Sequence, residues 1–195
     1  MTLPRLLVLT DRTQIGDRDL VDVVRAVVAG GPCGVVLREK DLPDAARAEL
    51  VARLRDVVTS AGAVLLVASG VGLGDGVHLS ADDPFPSPPS PVVGRSCHHR
   101  DEVRRAADEG CTYATLSPVF ASASKPGYGP PLGVDALRDQ PLPVFALGGV
   151  TAARAARCVD AGASGVAVMG EVMRAADPAA EVAALLEAIH VRALR

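Results

Sequence analysis

The chain has 195 residues, 49% apolar but only 3% aromatic, with a formal net charge of −3 at pH 7. That length suits one domain, residues 1–195, with a large core built from Val, Leu and Ala. Charge of both signs is dispersed without a like-charge block, which excludes a nucleic-acid patch or a membrane-surface face; pairs such as Arg104-Arg105 read as solvated helix faces.

No apolar stretch approaches the ~20 residues needed to cross a bilayer. Met1-Thr2-Leu3-Pro4 leads directly into a strand-like run rather than a secretory leader. Four cysteines (Cys33, Cys97, Cys111, Cys158) lie far apart, with neither a C-x-x-C pair nor zinc spacing. The expectation is a cytoplasmic protein with free, mostly buried thiols; monomer and homo-oligomer are both open.

In chain order, Arg5–Thr10 reads as a first strand and Asp19–Ala29 as a helix stopped by Gly30-Gly31. Cys33–Leu37 is a second strand running into Arg38-Glu39-Lys40, and Pro43–Ala61 a long helix stopped by Gly62. Ala63–Val67 is a third strand, followed by a glycine-rich segment, Ser69–Asp75, too short for a helix. Gly76–Leu79 is a fourth strand, and the proline-laden Phe85–Pro91 an irregular loop. Val92–Arg95 is a fifth strand, Arg100–Glu109 a helix, and Thr112–Leu116 a sixth strand. The long loop Ser117–Gly133 has the length of a functional lid. Val144–Leu147 and Gly165–Val168 are the seventh and eighth strands, with an Ala-rich helix between them, and Pro178–Leu194 is a closing helix. Short apolar runs bounded by glycine and alternating with helices predict a parallel sheet buried on both faces. Eight of them without a linker predict a single (β/α)₈ barrel with one eroded helix after the third strand. A doubly wound open sheet is the alternative.

In such a barrel every strand delivers its following residues to one catalytic face. The second strand would bring Arg38 and Lys40, the fourth His78, Asp82 and Asp83, and the fifth Ser96, Cys97, His98 and His99. The sixth would bring Ser117 and a lid carrying Ser122, Ser124 and Lys125. The last two end in glycine (Gly148-Gly149, and Gly170 after Met169), where side-chain-free backbone can lay amides against an anion. Cations, hydroxyls and amide nests around one mouth describe a site for a phosphorylated small molecule. Simpler roles compete residue by residue. Arg38 and Lys40 could pair with Glu39, Asp41 or Asp44. Asp82 and Asp83 could cap a helix, as could His98-His99, and the lid residues could be ordinary polar loop.

LREK at 37–40, GVHL at 76–79, GRSCH at 94–98, SPVFASASK at 117–125, LGGV at 147–150 and AGASGVAVM at 161–169 stand in one order. Together they resemble the thiamine phosphate synthase family, which includes the related TenI-like thiazole tautomerases. The resemblance implies a (β/α)₈ transferase that joins a pyrimidine pyrophosphate to a thiazole phosphate and releases pyrophosphate with Mg²⁺. It implies that Arg38 and Lys40 neutralise pyrophosphate, that Asp83 is a magnesium ligand and that Ser96 contacts the pyrimidine. Ser122, Ser124 and Lys125 would hold phosphates from the lid, and Gly149 and Gly170 would receive the thiazole phosphate. His78, His98, Gly148 and Met169 complete the expected ligand-binding set. The chain departs from the family pattern in places: Ala68-Ser69-Gly70 stands where Asn-Asp-Arg is usual, Val36 for glutamine, Gly170 for serine, and Pro118 for the tautomerase histidine. Synthase activity is the first expectation. A tautomerase using His98, His78 or Cys97 as base, and a catalytically inactive phosphate-binding barrel, are the others.

Overall fold

A computed structural model describes residues 2–70, 72–121 and 130–190. Its strands are β1 (Leu6–Leu9), β2 (Gly34–Leu37), β3 (Val64–Ala68), β4 (Gly76–Leu79), β5 (Val93–Cys97), β6 (Tyr113–Leu116), β7 (Val144–Ala146) and β8 (Gly165–Val168). All pair in parallel with their sequence neighbours. β1 also pairs with β8 (Leu6 with Val166, Val8 with Val168), which closes the barrel. Closure overturns the open-sheet alternative. Nearly every strand residue is buried, as Val- and Leu-rich runs with two dry faces require.

Helices α1 (Leu20–Ala29), α2 (Asp44–Ser60), α3 (Arg100–Asp108), α4 (Ala152–Asp160), α5 (Gly170–Met173) and α6 (Pro178–His190) surround the sheet. The last part of the closing helix expected to Leu194 lies outside the described residues. Erosion goes further than one helix. Among the described residues no helix follows β3 or β4, and after β6 a single 3-10 turn, Val134–Leu137, stands in for one. Prolines at 84, 86, 88, 89 and 91 explain the β4 connection: they lack amide donors and clash with a preceding helical turn.

The core has two layers. Outward-facing strand residues pack under the helices, Leu54, Leu185 and Met173 among the largest fully buried side chains there. Inside the barrel sit Leu7, Leu9, Val36, Val64, Leu66, Val92, Tyr113, Phe145 and Ala167. Two rings fit this narrow interior because glycines face them. A Cβ at Gly94 would collide with the Tyr113 ring; one at Gly165 would meet Phe145 Cε1 at 2.7 Å and the carbonyl of Arg5. Since Arg5 O is backbone in the β1–β8 seam, no side-chain shift relieves that clash. Gly165→Ala should therefore destabilise the protein by about 1–3 kcal/mol, lowering the thermal midpoint by several degrees in a calorimetric scan. An unchanged midpoint would contradict this reading of the seam.

Candidate functional site

A cavity of about 710 Å³ opens at the C-terminal ends of the strands, within the usual size for a small-molecule site. Strand geometry decides which side chains enter it. Alternate residues point inward, so continuing each inward series upward leads from Val36 to Arg38 and from Leu66 to Ala68. It leads likewise from Gly76 to His78, from Gly94 to Ser96 and His98, from Tyr113 to Ser117, and from Ala167 to Met169. All of these upper residues line the cavity. Ser96 belongs to β5 itself, which runs two residues past the expected end at Arg95.

Arg38 and Lys40 both border the cavity. The acids expected to compete for them are engaged elsewhere. Arg12, in a 3-10 turn after β1, donates to Asp41 Oδ1 and Oδ2 at 2.7 and 2.6 Å and to Glu39 Oε2 at 3.1 Å, and its amide donates to Glu39 Oε1 at 3.1 Å. Its hydrogen bonds to Asp41 and Glu39 hold the Arg12 guanidinium above its ordinary pKa, and the buried Glu39 carboxylate has its counter-charge. Asp44 pairs with Arg47. Arg38 is thus left with Asp11 at 4.0 Å as its salt bridge, and its amide donates to Thr10 Oγ1 at 3.0 Å. Lys40 Nζ donates to Ser80 Oγ across the mouth. Burial lowers its pKa; Asp83 opposes the fall, and Arg38 and Arg47 add to it.

Asp83 does not cap a helix, since none follows; it closes a turn. Its Oδ2 accepts from Ser80 N at 2.8 Å and from Ser69 Oγ at 2.5 Å. Burial pushes this carboxyl up, but the bonds from Ser69 and Ser80 and the charge of Lys40 together leave it below the usual aspartate range. The turn is held from beneath by Arg95, a fully buried cation in β5. Arg95 Nη1 donates to the carbonyls of Ser80, Ala81 and Asp83 at 2.8–3.0 Å, and Nη2 pairs with Glu109 at 2.7 Å.

At the floor, His78 Nδ1 lies 2.8 Å from Tyr113 Oη and Nε2 3.0 Å from Ser96 Oγ. Burial, reinforced by Lys40, lowers the His78 pKa to about 4, so the ring is neutral. Tyr113 is fully buried, and burial keeps its phenol protonated. If Nδ1 carried the proton, the phenolic hydrogen would be left without that acceptor, at a cost of about 1–3 kcal/mol. Tyr113 O–H therefore donates to Nδ1, His78 Nε2–H donates to Ser96 Oγ, and the Ser96 hydroxyl proton is left for a ligand.

Opposite the cations lie the glycine loops. Gly148 and Gly149 have φ of +91° and +63°, and a Cβ at Gly148 would sit 2.8 Å from Pro118 Cα. The loop carbonyls face protein: Leu147 O accepts from Val119 N at 2.9 Å, Gly148 O from Phe120 N at 3.0 Å, and Gly149 O from Arg154 Nη1 at 2.8 Å. What the loop can present to a ligand is amide N–H. Thr151, at the capping position before α4, makes no side-chain cap, so the first-turn amides of that helix are also uncapped there. Met169 and Gly170 line the same cavity.

The structure thus gathers Arg38, Lys40, His78, Ser96, His98, Gly148, Gly149, Met169 and Gly170 at one mouth, with Asp83 in the turn beside it. Ser122, Ser124 and Lys125 lie outside the described residues. The two adjacent histidines divide: His99 caps α3, its Nδ1 accepting from Glu102 N at 3.4 Å, while His98 borders the cavity with Nδ1 3.0 Å from Ser117 O. Two expected bases are corrected. His78 is buried and too weakly basic, and the Cys97 thiol is buried and pushed up to about 12. Sequence reasoning missed Arg12, Arg95, Tyr113, Arg154 and Arg174. The available signal for Arg95 was a charged residue directly ending an apolar strand run.

These features define a (β/α)₈ barrel with a basic, hydroxyl- and amide-lined mouth. The model of the thiamine monophosphate synthase family (TMP-TENI) matches residues 6–172, and the chain belongs to that family. It is 38% identical to a thiamine-phosphate synthase of Roseiflexus castenholzii over 92% of this chain and 86% of that one. It is 37% identical to one of Methanoculleus marisnigri over 94% of each. Among solved structures, thiamine phosphate pyrophosphorylase from Pyrococcus furiosus superposes with a TM-score of 0.84 at 26% identity, covering 96% of both chains.

The neutral His78 has a consequence for stability. The unfolded histidine takes a proton below about pH 6.5 and the native one only below about 4. Between these values the unfolded state binds more protons, so stability falls as pH drops through the window, by up to roughly 3 kcal/mol. Urea titrations at pH 7 and 4.5 should show a smaller pH loss in His78→Gln than in wild type. Equal losses would contradict a neutral native ring.

Proposed function

We propose that the protein is a thiamine-phosphate synthase, a transferase of thiamine biosynthesis that joins hydroxymethylpyrimidine pyrophosphate to thiazole phosphate. The observation that carries this reading is that Arg38 and Lys40, their neighbouring acids held by Arg12 and Arg47, share one cavity with the glycine loops after β7 and β8. Two anionic groups can then be held at opposite sides of one mouth.

The chemistry asks for little else. The pyrimidine's methylene C–O bond breaks and its electron pair leaves with pyrophosphate. The thiazole nitrogen supplies a lone pair for the new C–N bond, and no proton need move. Positive charge placed beforehand around the leaving group lowers that barrier, and Arg38 and Lys40 provide it. Ser96, with its proton directed to the cavity by His78, suits an acceptor on the pyrimidine side. A cytoplasmic location fits the same reading.

Magnesium would add charge neutralisation on the leaving pyrophosphate. Among the described residues no cluster of three His, Cys, Asp or Glu gathers to cage a metal. Magnesium, however, is commonly held by one or two carboxylates plus substrate phosphates. Asp83 fits that mode: its Oδ2 is hydrogen-bonded, and Ser69 orients it instead of contributing a second carboxylate. The residues suit an ion carried in with pyrophosphate.

A tautomerase reading would rest on His98 alone of the three expected bases. A pyrophosphate-release assay with both purified substrates and Mg²⁺ separates the possibilities. Wild type should release pyrophosphate and form thiamine phosphate in equal amounts. Arg38→Ala and Lys40→Ala should each reduce turnover about 10²-fold or more, with unchanged melting curves, since both side chains sit at the open mouth. Wild-type turnover in both variants would reject the assignment; isomerisation of the thiazole without pyrimidine would favour the tautomerase.

A further inference from the structure

Gly170 stands where the family resemblance expects serine, and another side chain takes the room. A Cβ on residue 170 would fall inside the guanidinium of Arg174, four residues on. Arg174 lines the cavity, as do Gly149 and Gly170. Its Nη1 donates to Gln14 Oε1. Gln14 Nε2 donates in turn to Asp11 Oδ2 at 2.6 Å, and that oxygen lies 4.0 Å from Arg38 Nη1. A line of contacts therefore runs along the rim from the cation after β2 to the cation after β8. Arg154, on the β7 side, is used differently: it donates to Gly149 O, and its guanidinium lies 5.1 Å from the Phe120 ring centroid.

We propose that Arg174 binds the phosphate ester of the thiazole substrate, its guanidinium occupying the place a residue-170 side chain would otherwise take. A hydroxyl can give a phosphate one neutral hydrogen bond. A guanidinium gives two in a fixed fork, both charge-assisted. The glycine at 170 is what lets that fork approach the β8 loop, and Gln14 orients it. The proposal rests on the synthase reading and names the residue that makes thiazole recognition depend on the phosphate.

The test titrates the full-length protein calorimetrically with thiazole phosphate and with the unphosphorylated thiazole alcohol, and measures KM for both substrates. Arg174→Ala should weaken the ester at least tenfold, while alcohol affinity and KM for the pyrimidine pyrophosphate stay within twofold. Arg174→Lys should recover part of the loss. Because Arg174 is exposed, the variant should keep the wild-type melting curve. Wild-type affinity for the ester in Arg174→Ala overturns the proposal, and so does an equal loss of ester and alcohol, which would mark a general disturbance. A wild-type protein that binds neither substrate overturns the synthase reading, and the proposal with it.

Discussion

Parallel closure of β1 against β8 is the constraint on which the rest depends. With every strand running the same way and the seam sealed by Leu6–Val166 and Val8–Val168, all eight strand ends emerge at one mouth. Residues as distant in sequence as Arg38, Ser96 and Gly149 become neighbours without specific contacts to draw them together. The seam tolerates little alteration, since Gly165 lies directly against the carbonyl of Arg5. Above it the side-chain alternation that fills the barrel with Val, Leu and two rings continues unbroken into the polar residues of the cavity.

Charges in this protein fall into two groups, and the division makes the mouth usable. Arg12 and Arg95 are structural. One holds Glu39 and Asp41 away from Arg38 and Lys40; the other, fully buried, grips three carbonyls of the turn that carries Asp83. Arg38 and Lys40 remain on the cavity wall with weak protein partnerships, as groups meant for an anionic ligand should. The floor beneath them is kept neutral by burying His78 between Tyr113 and Ser96, so a hydroxyl donor faces the cavity without a competing charge.

Much of this was legible in the sequence. Glycine-bounded apolar runs gave the strands, and polar residues immediately after them gave Arg38, Lys40, His78, Ser96, His98 and the glycine loops. What escaped depended on three-dimensional partners. The cation after the first strand reads as loop punctuation until Glu39 and Asp41 are seen against it. Arg95 looks like a strand end, yet β5 continues through Ser96 and Cys97 and the guanidinium is buried on the helix side. Helix capping, the simpler of the two roles open to Asp83 in the sequence, fails because the following prolines leave it no helix to cap. Glycine in place of serine at 170 was legible as a departure from the family pattern; its counterpart, Arg174, is a packing fact that spacing alone does not show.

The most direct measurement of the central claim is a crystal structure of the protein with pyrophosphate and thiazole phosphate bound. Both anions should lie in one cavity, pyrophosphate against Arg38 and Lys40 and the phosphate ester between the Gly148-Gly149 loop and Gly170. Either anion bound away from the C-terminal mouth, or the ester lying against Arg38 with the glycine loops empty, would contradict it.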